Sequence, residues 1–370
     1  MTESVIKKNK EVIKIFKDLK EEVIDENICC ACGACVAYCE SQSFDVIEMI
    51  DNTPHFKSAA NEENCTECGL CYFICPQTAP LLDIMNETYQ VKDNVGPYKD
   101  IIAAKTTDEL LMKIGQDGGV VTTILMYLFN TYQIDAAIVS EYDKELRPQP
   151  KLIFNPEELK NSAGTRYSIS SQIHPLKDLY NIPAKILEEK SIFNIDQLNI
   201  AFVGTPCQVR ALRKMKLLNV KPAHVVKYII SLFCFENFNY NELYDIFQKK
   251  KKIEASDIKK TAIKGKFIVE TSSDTTYEFE LKELDNAVRS NCKNCDEFTG
   301  RFSDISVGSS GAPEGYSMII TRTEQGDEVI KKMMAQNYIT TYIPSQNAGE
   351  WKQEKIKRFE KMSSIKSKKK

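Results

Sequence analysis

CCACGACVAYCE at residues 29–40 and CTECGLCYFICP at residues 65–76 are two copies of one cysteine spacing. Cys29, Cys32, Cys35 and Cys39 make C-x2-C-x2-C-x3-C, and Cys65, Cys68, Cys71 and Cys75 repeat it. A disulfide framework needs an oxidising compartment, and the opening MTESVIKKNKEVIK lacks the apolar core of a secretion signal. Zinc takes four ligands per ion, usually from two separated pairs. Three cysteines spaced two residues apart, with a fourth after three more, do not follow that plan.

The spacing is instead the bacterial two-cluster run, in which the fourth cysteine of each run ligates the other cluster. It predicts crossed ligand sets for two [4Fe–4S] clusters. Cys29, Cys32, Cys35 and Cys75 form the first, and Cys65, Cys68, Cys71 and Cys39 the second. Gly33 and Gly69 leave room for backbone to wrap each cluster. Pro76 follows the second run as the pattern requires; Glu40 stands where the first run would have proline and reads as a solvated side chain. The spacer DVIEMIDNTPHF (45–56) supplies a short strand pair. Residues 27–90 are therefore expected to be a small α+β ferredoxin domain of the 2[4Fe–4S] type.

The 370 residues suffice for this small domain and a larger one, each with its own core. A formal net charge of −3 argues against a strong nucleic-acid or membrane field. No run of eighteen apolar residues exists, so no transmembrane helix is expected. Reduced cysteines point to the cytoplasm, with room for a peripheral place on a membrane complex. Val12, Phe16, Leu19 and Val23 share one face of an amphipathic helix within residues 1–26. Lys249–Lys252 and the lysines of 366–370 read as solvated, the latter in a frayed basic tail spanning 349–370.

From residue 91 to 348 helices and strands alternate. TTDELLMKIG (106–115) is helical with Thr107 as a plausible cap, and VVTTILMYLFNTYQ (120–133) is a buried helix. AAIVSEY (136–142), KLIF (151–154), YIISLFC (228–234), DISVG (304–308) and SMIITRT (317–323) read as strands. LNIAFVGTPCQVRALRKMKLL (198–218) is strand, turn and helix, and KFIVETSSDTTYEFEL (266–281) is a hairpin. The pattern predicts an α/β domain on a mixed sheet, of unread strand order.

Four cysteines lie at element ends in this region: Cys207, Cys234, Cys292 and Cys295. Spacing alone leaves several readings open: buried apolar cysteines, a redox dithiol or zinc site at C-K-N-C, or a third [4Fe–4S] cluster. No G-x-G-x-x-G occurs. Gln116-Asp117-Gly118-Gly119, opening the helix at Val120 and Thr122, suits an anion at a helix start. Gly164, Thr165, Arg166, Tyr167 and Ser168 form a second polar segment, with Arg166 available for a phosphate. A glycine-rich turn holds Gly308 and Gly311. A flavin beside the clusters would convert two-electron to one-electron chemistry.

QDGGVVTTIL (116–125), AGTRYS (163–168), VGTPCQVRAL (203–212), the Cys234 strand and CKNCDEFTGRFSDISVGSSGAPEGYSMIITRT (292–323) together resemble the family of coenzyme F420 hydrogenase and dehydrogenase beta subunits. The resemblance covers roughly 95–345 and extends to the ferredoxin region, as in the F420H2 dehydrogenase input subunit. It implies FAD at the Gly118–Gly119 helix start and the 164–168 segment. It also implies a third [4Fe–4S] cluster on Cys207, Cys234, Cys292 and Cys295.

The expected activity is oxidation of reduced coenzyme F420 by hydride transfer to FAD. Single electrons then pass through the clusters to a partner subunit or soluble acceptor, in either direction. Hydride transfer needs alignment more than acid–base help, so no catalytic base is assigned, and His174 reads as structural. Rivals within the family are a ferredoxin-linked FAD reductase and a formate dehydrogenase-type beta subunit. Rivals of another class are a flavin-free electron relay and a zinc-stabilised interaction protein. Cys30, the thirteenth cysteine, reads as dispensable.

Overall fold

The computed structural model describes residues 13–293 and 295–368. Val12, on the predicted N-terminal helical face, lies outside the described residues. Phe16, Leu19 and Val23 are buried, on the short helix Phe16–Leu19 and the wider turn Lys20–Ile24 that continues it. They pack against Cys35, Val36, Cys71 and Tyr72. This opening segment is thus part of the eight-cysteine module and not a separate arm.

Within that module, β1 (Ile47–Ile50) pairs antiparallel with β2 (Thr53–Phe56), as the spacer predicted. Each cysteine run turns into a helix, Ala34–Ser41 and Leu70–Phe73. Gly33 opens the first with φ +81°, and a side chain there would meet the backbone nitrogen of His174 at 2.8 Å. The glycine thus permits a left-handed turn and a close approach to the larger domain.

That domain is built on an eight-stranded mixed sheet. Its strands are β3 (Asp100–Thr106), β4 (Ala136–Tyr142), β5 (Pro148–Ile153), β6 (Ile200–Gly204), β7 (Val226–Leu232), β11 (Ile305–Gly308), β12 (Ser317–Thr321) and β13 (Ile339–Thr341). The order is β13-β3-β12-β11-β7-β6-β4-β5. β4, β6, β7 and β11 run parallel. β12 is antiparallel to both β11 and β3, so β3 also runs with the parallel group. The carboxyl ends of these five strands share one edge, where open α/β sheets bind ligands.

Side chains alternate across the sheet. Ile138, Ile200, Phe202 and Ile229 face one core with Val209, Leu212 and Met215 of the helix Pro206–Leu217. Val139, Ala201 and Ile230 face another, with the helices Val120–Asn130 and Glu324–Ala335. The helix after β3 is capped by Asp108, whose carboxylate accepts from Leu111 N, so Thr107 is not the cap. The predicted hairpin forms as β9 (Lys266–Thr271) and β10 (Thr276–Phe279), joined by β8 (Ile258–Lys264) in a separate three-stranded sheet.

Two further expectations fail. The cysteine module does not keep wholly to its own core: Cys30, Ala37, Ile74 and Met85 share a cluster with Val209, Leu212 and Met215. Nor is 349–370 a frayed tail. Ala348–Ser367 is a continuous helix, capped by Asn347, with Trp351 and Phe359 buried. Trp351, Phe359 and Lys366 fall at helical intervals on one face, so a segment that is basic in composition is amphipathic in register. Lys366 is 2 % exposed and not solvated.

Candidate metal centres and cofactor cleft

The eight cysteines gather as the crossed sets require. One cleft is lined by Cys29, Cys32, Cys35 and Cys75, with Cys30, Leu19, Val23 and Met49 among its walls. The other is lined by Cys39, Cys65, Cys68 and Cys71, with Phe16, Tyr38 and Val46. The chain therefore brings Cys75 to the first run and Cys39 to the second.

The cleft holding Cys29 faces the large domain, and backbone carbonyls of its cysteines are the attachment points. Ile173 N donates to Cys32 O at 2.9 Å, and Arg289 Nη2 to Cys29 O at 2.9 Å. Lys214 Nζ donates to Cys75 O at 2.6 Å and to Thr78 O at 2.8 Å. Burial lowers the Lys214 ammonium to about 8. Glu40, expected in solvent, pairs with Lys177 at 3.3 Å and Lys57 at 3.6 Å. His174 is half-buried at this junction, and partial burial together with Lys177 lowers its pKa. In the second cleft, Cys68 is exposed.

Four of the five other cysteines also come into mutual electrostatic range. Cys207 opens the helix after β6, Cys234 follows β7, and Cys292 and Cys295 lie in the segment before β11. Cys234 feels the charges of Cys292, Cys207 and Cys295, and Cys292 those of Cys207 and Cys295. Burial pushes the Cys292 thiol up to about 11 and the Cys75 thiol up to about 12. Such thiols are poor nucleophiles, and a bound cation is what would draw off their protons.

All four cysteines also act electrostatically on Lys366, whose Nζ donates to Cys234 O at 2.7 Å and Glu297 O at 2.6 Å. Their charges hold its ammonium above the ordinary lysine range despite burial. Glu297 itself is fully buried and pairs with Arg301 at 3.0 Å and Arg210 at 3.3 Å.

Among the described residues, no group of three or more His, Cys, Asp or Glu side chains converges as it would on a single metal ion. A four-iron cluster binds each cysteine through a separate iron, which spaces the sulfurs more widely. Apolar walls, crossed cysteine sets and buried, high-pKa thiols fit that kind of group.

Cys30, read as dispensable, occupies the junction of two sets. It is buried, lines the first cleft, and shares a packed cluster with Cys32 and Cys207. Sequence spacing carried no signal for this, because the contact joins residues far apart in the chain.

At the carboxyl edge of β3, Gln116, Asp117, Gly118 and Gly119 turn the chain into the helix holding Val120 and Thr122. Thr106 N donates to Gly118 O, and Gly118 N to Ser317 Oγ. A side chain at Gly118 would meet Ala104 O at 2.6 Å and Ser317 N at 2.7 Å, so glycine is required here by packing. Gln116 Oε1 is buried without a partner, an orphan acceptor that a bound group would satisfy. Asp117 senses Lys264 and Lys260, and Lys260 Nζ donates to Gly115 O at 3.0 Å. A side chain added at Gly164 would lie 3.9 Å from Ile114 O, so the second polar segment runs alongside.

Other expected cofactor residues have different roles here. Arg166 is not free for a phosphate: its two terminal nitrogens donate to the carbonyls of Asn161, Ser162, Ala163 and Gly164, and its guanidinium stacks 4.5 Å from the Tyr142 ring centre. It organises the loop that carries Thr165. Tyr167 packs on Phe267 and accepts from Ile263 N, tying this loop to β8. Ser168 is buried in a bridge to Phe238. Gly308 is pressed against Phe233, and Gly311 lies beneath Arg358 of the C-terminal helix, so this turn belongs to the packing around Cys234.

Two family models match the chain. Residues 101–177 match the N-terminal model of the coenzyme F420 hydrogenase/dehydrogenase beta subunit, and residues 198–346 match the C-terminal one. The chain is 31% identical to a subunit of the F(420)H(2) dehydrogenase of Methanosarcina mazei, over 83% of this chain and 82% of that one. It is 31% identical to the coenzyme F420-dependent sulfite reductase of Methanocaldococcus jannaschii, over 92% of this chain but only 51% of that longer one. Its fold is similar to a chain of the F420-reducing [NiFe] hydrogenase complex from Methanosarcina barkeri, with TM-score 0.64 and 28% identity over 75% of this chain and 92% of that one. With the sheet, the converging cysteines and these similarities in agreement, the chain belongs to the family of coenzyme F420 hydrogenase/dehydrogenase beta subunits, whose members' names tie them to F420-dependent oxidoreductases.

Proposed function

We propose that this chain oxidises reduced coenzyme F420 and delivers single electrons to a partner subunit or soluble acceptor, in a reaction that also runs backwards. The observation that carries the reading is the continuity of three cysteine sets. Cys207 of the sheet-edge set meets Cys30 beside Cys32 of the inner cleft, and the inner run continues into Cys39 of the outer cleft, where Cys68 is exposed.

FAD bound at the 116–119 turn and the 164–168 segment would accept hydride and release electrons singly. Gly118 and Gly119 turn the chain into the helix, whose first-turn N–H groups follow from Val120, and Gln116 offers its unpartnered oxygen. Arg166 shapes the facing loop through the carbonyls it binds. Cys207, Cys234, Cys292 and Cys295 would hold one [4Fe–4S] cluster at the sheet edge. Cys29, Cys32, Cys35 and Cys75 would hold the inner cluster, and Cys39, Cys65, Cys68 and Cys71 the outer one. Buried contacts from Ile173, Lys214 and Arg289 support a fixed inner cleft, so the module serves as an immobile outlet rather than a swinging carrier. Cys68 marks the side at which the acceptor docks.

Anaerobic purification with iron, sulfide and flavin counts tests the cofactors, and viologen-linked oxidation of reduced F420 tests the activity. About twelve irons and one FAD per chain are expected for three four-iron clusters. About eight irons removes the sheet-edge cluster. FAD without F420 activity assigns the chain another substrate, and the absence of flavin makes it a relay.

A further inference from the structure

The helix Ala348–Ser367 begins beyond residues 198–346, the segment that the C-terminal family model matches. Asn347 caps it, its side-chain oxygen accepting from Gly349 N at 2.8 Å. Trp351 and Phe359 pack it on Ile101, Ala103, Met318 and Ile320 of β3 and β12, and the Phe359 ring meets Phe233, the residue before Cys234, at 5.3 Å. Further down the same face, Lys366 enters the protein interior. Its ammonium is shared between two backbone carbonyls, those of Cys234 and Glu297, and all four sheet-edge cysteines act on it. Anchoring a helix does not require a buried cation, since burying an isolated charge is costly. The place chosen for this one is the backbone of Cys234, one of four cysteines whose sulfurs become anionic when they bind metal.

We propose that Lys366 is a positioning residue whose fixed positive charge raises the reduction potential of the cluster held by Cys207, Cys234, Cys292 and Cys295. The inference rests on the reading that those cysteines hold a cluster. Reduction adds one electron, and hence one negative charge, with no bond made or broken. A buried cation favours the more negative form, and net charge and hydrogen bonding are recognised levers on cluster potentials. The effect is to make this set a better acceptor for the first single electron, which a reduced flavin or, in the test, dithionite supplies.

The test is a redox titration of the whole purified protein, followed by low-temperature electron paramagnetic resonance, on Lys366→Met, Lys366→Gln and Lys366→Arg. Methionine keeps the length of the side chain, glutamine keeps hydrogen-bond donors without charge, and arginine keeps the charge. In the Met and Gln variants one of three one-electron waves is expected to move to lower potential. A tenfold loss in the reduction equilibrium corresponds to 59 mV for one electron. The other two waves and the flavin content stay as in the wild type, and the Arg variant stays near the wild-type potential. Loss of about four irons in the Met and Gln variants but not in the Arg variant also supports a required charge. Unmoved waves in the iron-replete Met or Gln variant overturn the proposal, as does an equal shift or an equal loss of iron in all three. A wild-type protein holding only about eight irons defeats the underlying cluster assignment instead, which keeps the two failures distinct.

Discussion

Lys214 Nζ donates to Cys75 O at 2.6 Å across the junction between the large domain and the cysteine module. The same ammonium satisfies Thr78 O, and the side chain is fully buried. Lys214→Met keeps the aliphatic stem but leaves Thr78 O without a donor and Cys75 O with Thr78 alone. A buried carbonyl orphaned in this way costs about 1–3 kcal/mol. The variant is expected to unfold at lower temperature and to lose iron from the inner cleft first, as followed by calorimetry and by iron content after gentle warming.

Cys30 and Cys207 should separate by iron count. Cys30 touches both sets but completes neither, so Cys30→Ser is expected to keep the wild-type iron content. Cys207→Ser is expected to lose about four irons, one cluster's worth. Equal iron loss in both would make Cys30 a ligand and revise the assignment of the sheet-edge set.

Gly118→Ala places a methyl group against Ala104 O and Ser317 N, both backbone atoms that cannot swing aside. Overpacking of this kind costs about 1–3 kcal/mol. Flavin occupancy after purification should fall more steeply than thermal stability does, since the displaced turn is the proposed flavin cradle. Unchanged flavin content in a destabilised variant would place the cofactor elsewhere.

His174 gives the junction a pH dependence. Burial and Lys177 lower its pKa, while Glu40 and Asp178 oppose them. Below about pH 6.5 the unfolded chain takes up a proton at this ring that the folded chain resists. Stability therefore declines as pH falls through that range and is insensitive to this group above it. The drop in melting temperature between about pH 7.5 and about pH 6.0, on either side of the ordinary histidine value, should be smaller in His174→Gln than in the wild type.

Much of the fold was legible because its signals are local. Cysteine spacing predicted both runs and their crossing, and the two clefts bring together those crossed sets. Strand and helix patterns marked most elements of the sheet. The failures were those of partner choice. Arg166 looked like a phosphate ligand, yet the carbonyls that consume it belong to residues just upstream, in a loop whose closure no pattern announces. Glu40 looked solvated because Lys177 lies on a segment whose docking is non-local.

The sequence by itself determined which residues are candidates: two runs of four cysteines, four more at element ends, a glycine turn at a helix start and strands able to form a mixed sheet. Only the tertiary structure decided how these sets meet. It put Cys30 against Cys207, turned the Cys29 cleft toward the large domain and left Cys68 exposed. It also converted a basic C-terminal stretch into a helix that buries Lys366 against the carbonyls of Cys234 and Glu297. The reason is physical. Spacing and periodicity record short-range geometry, whereas the cost of burying a charge is decided by partners that only folding supplies.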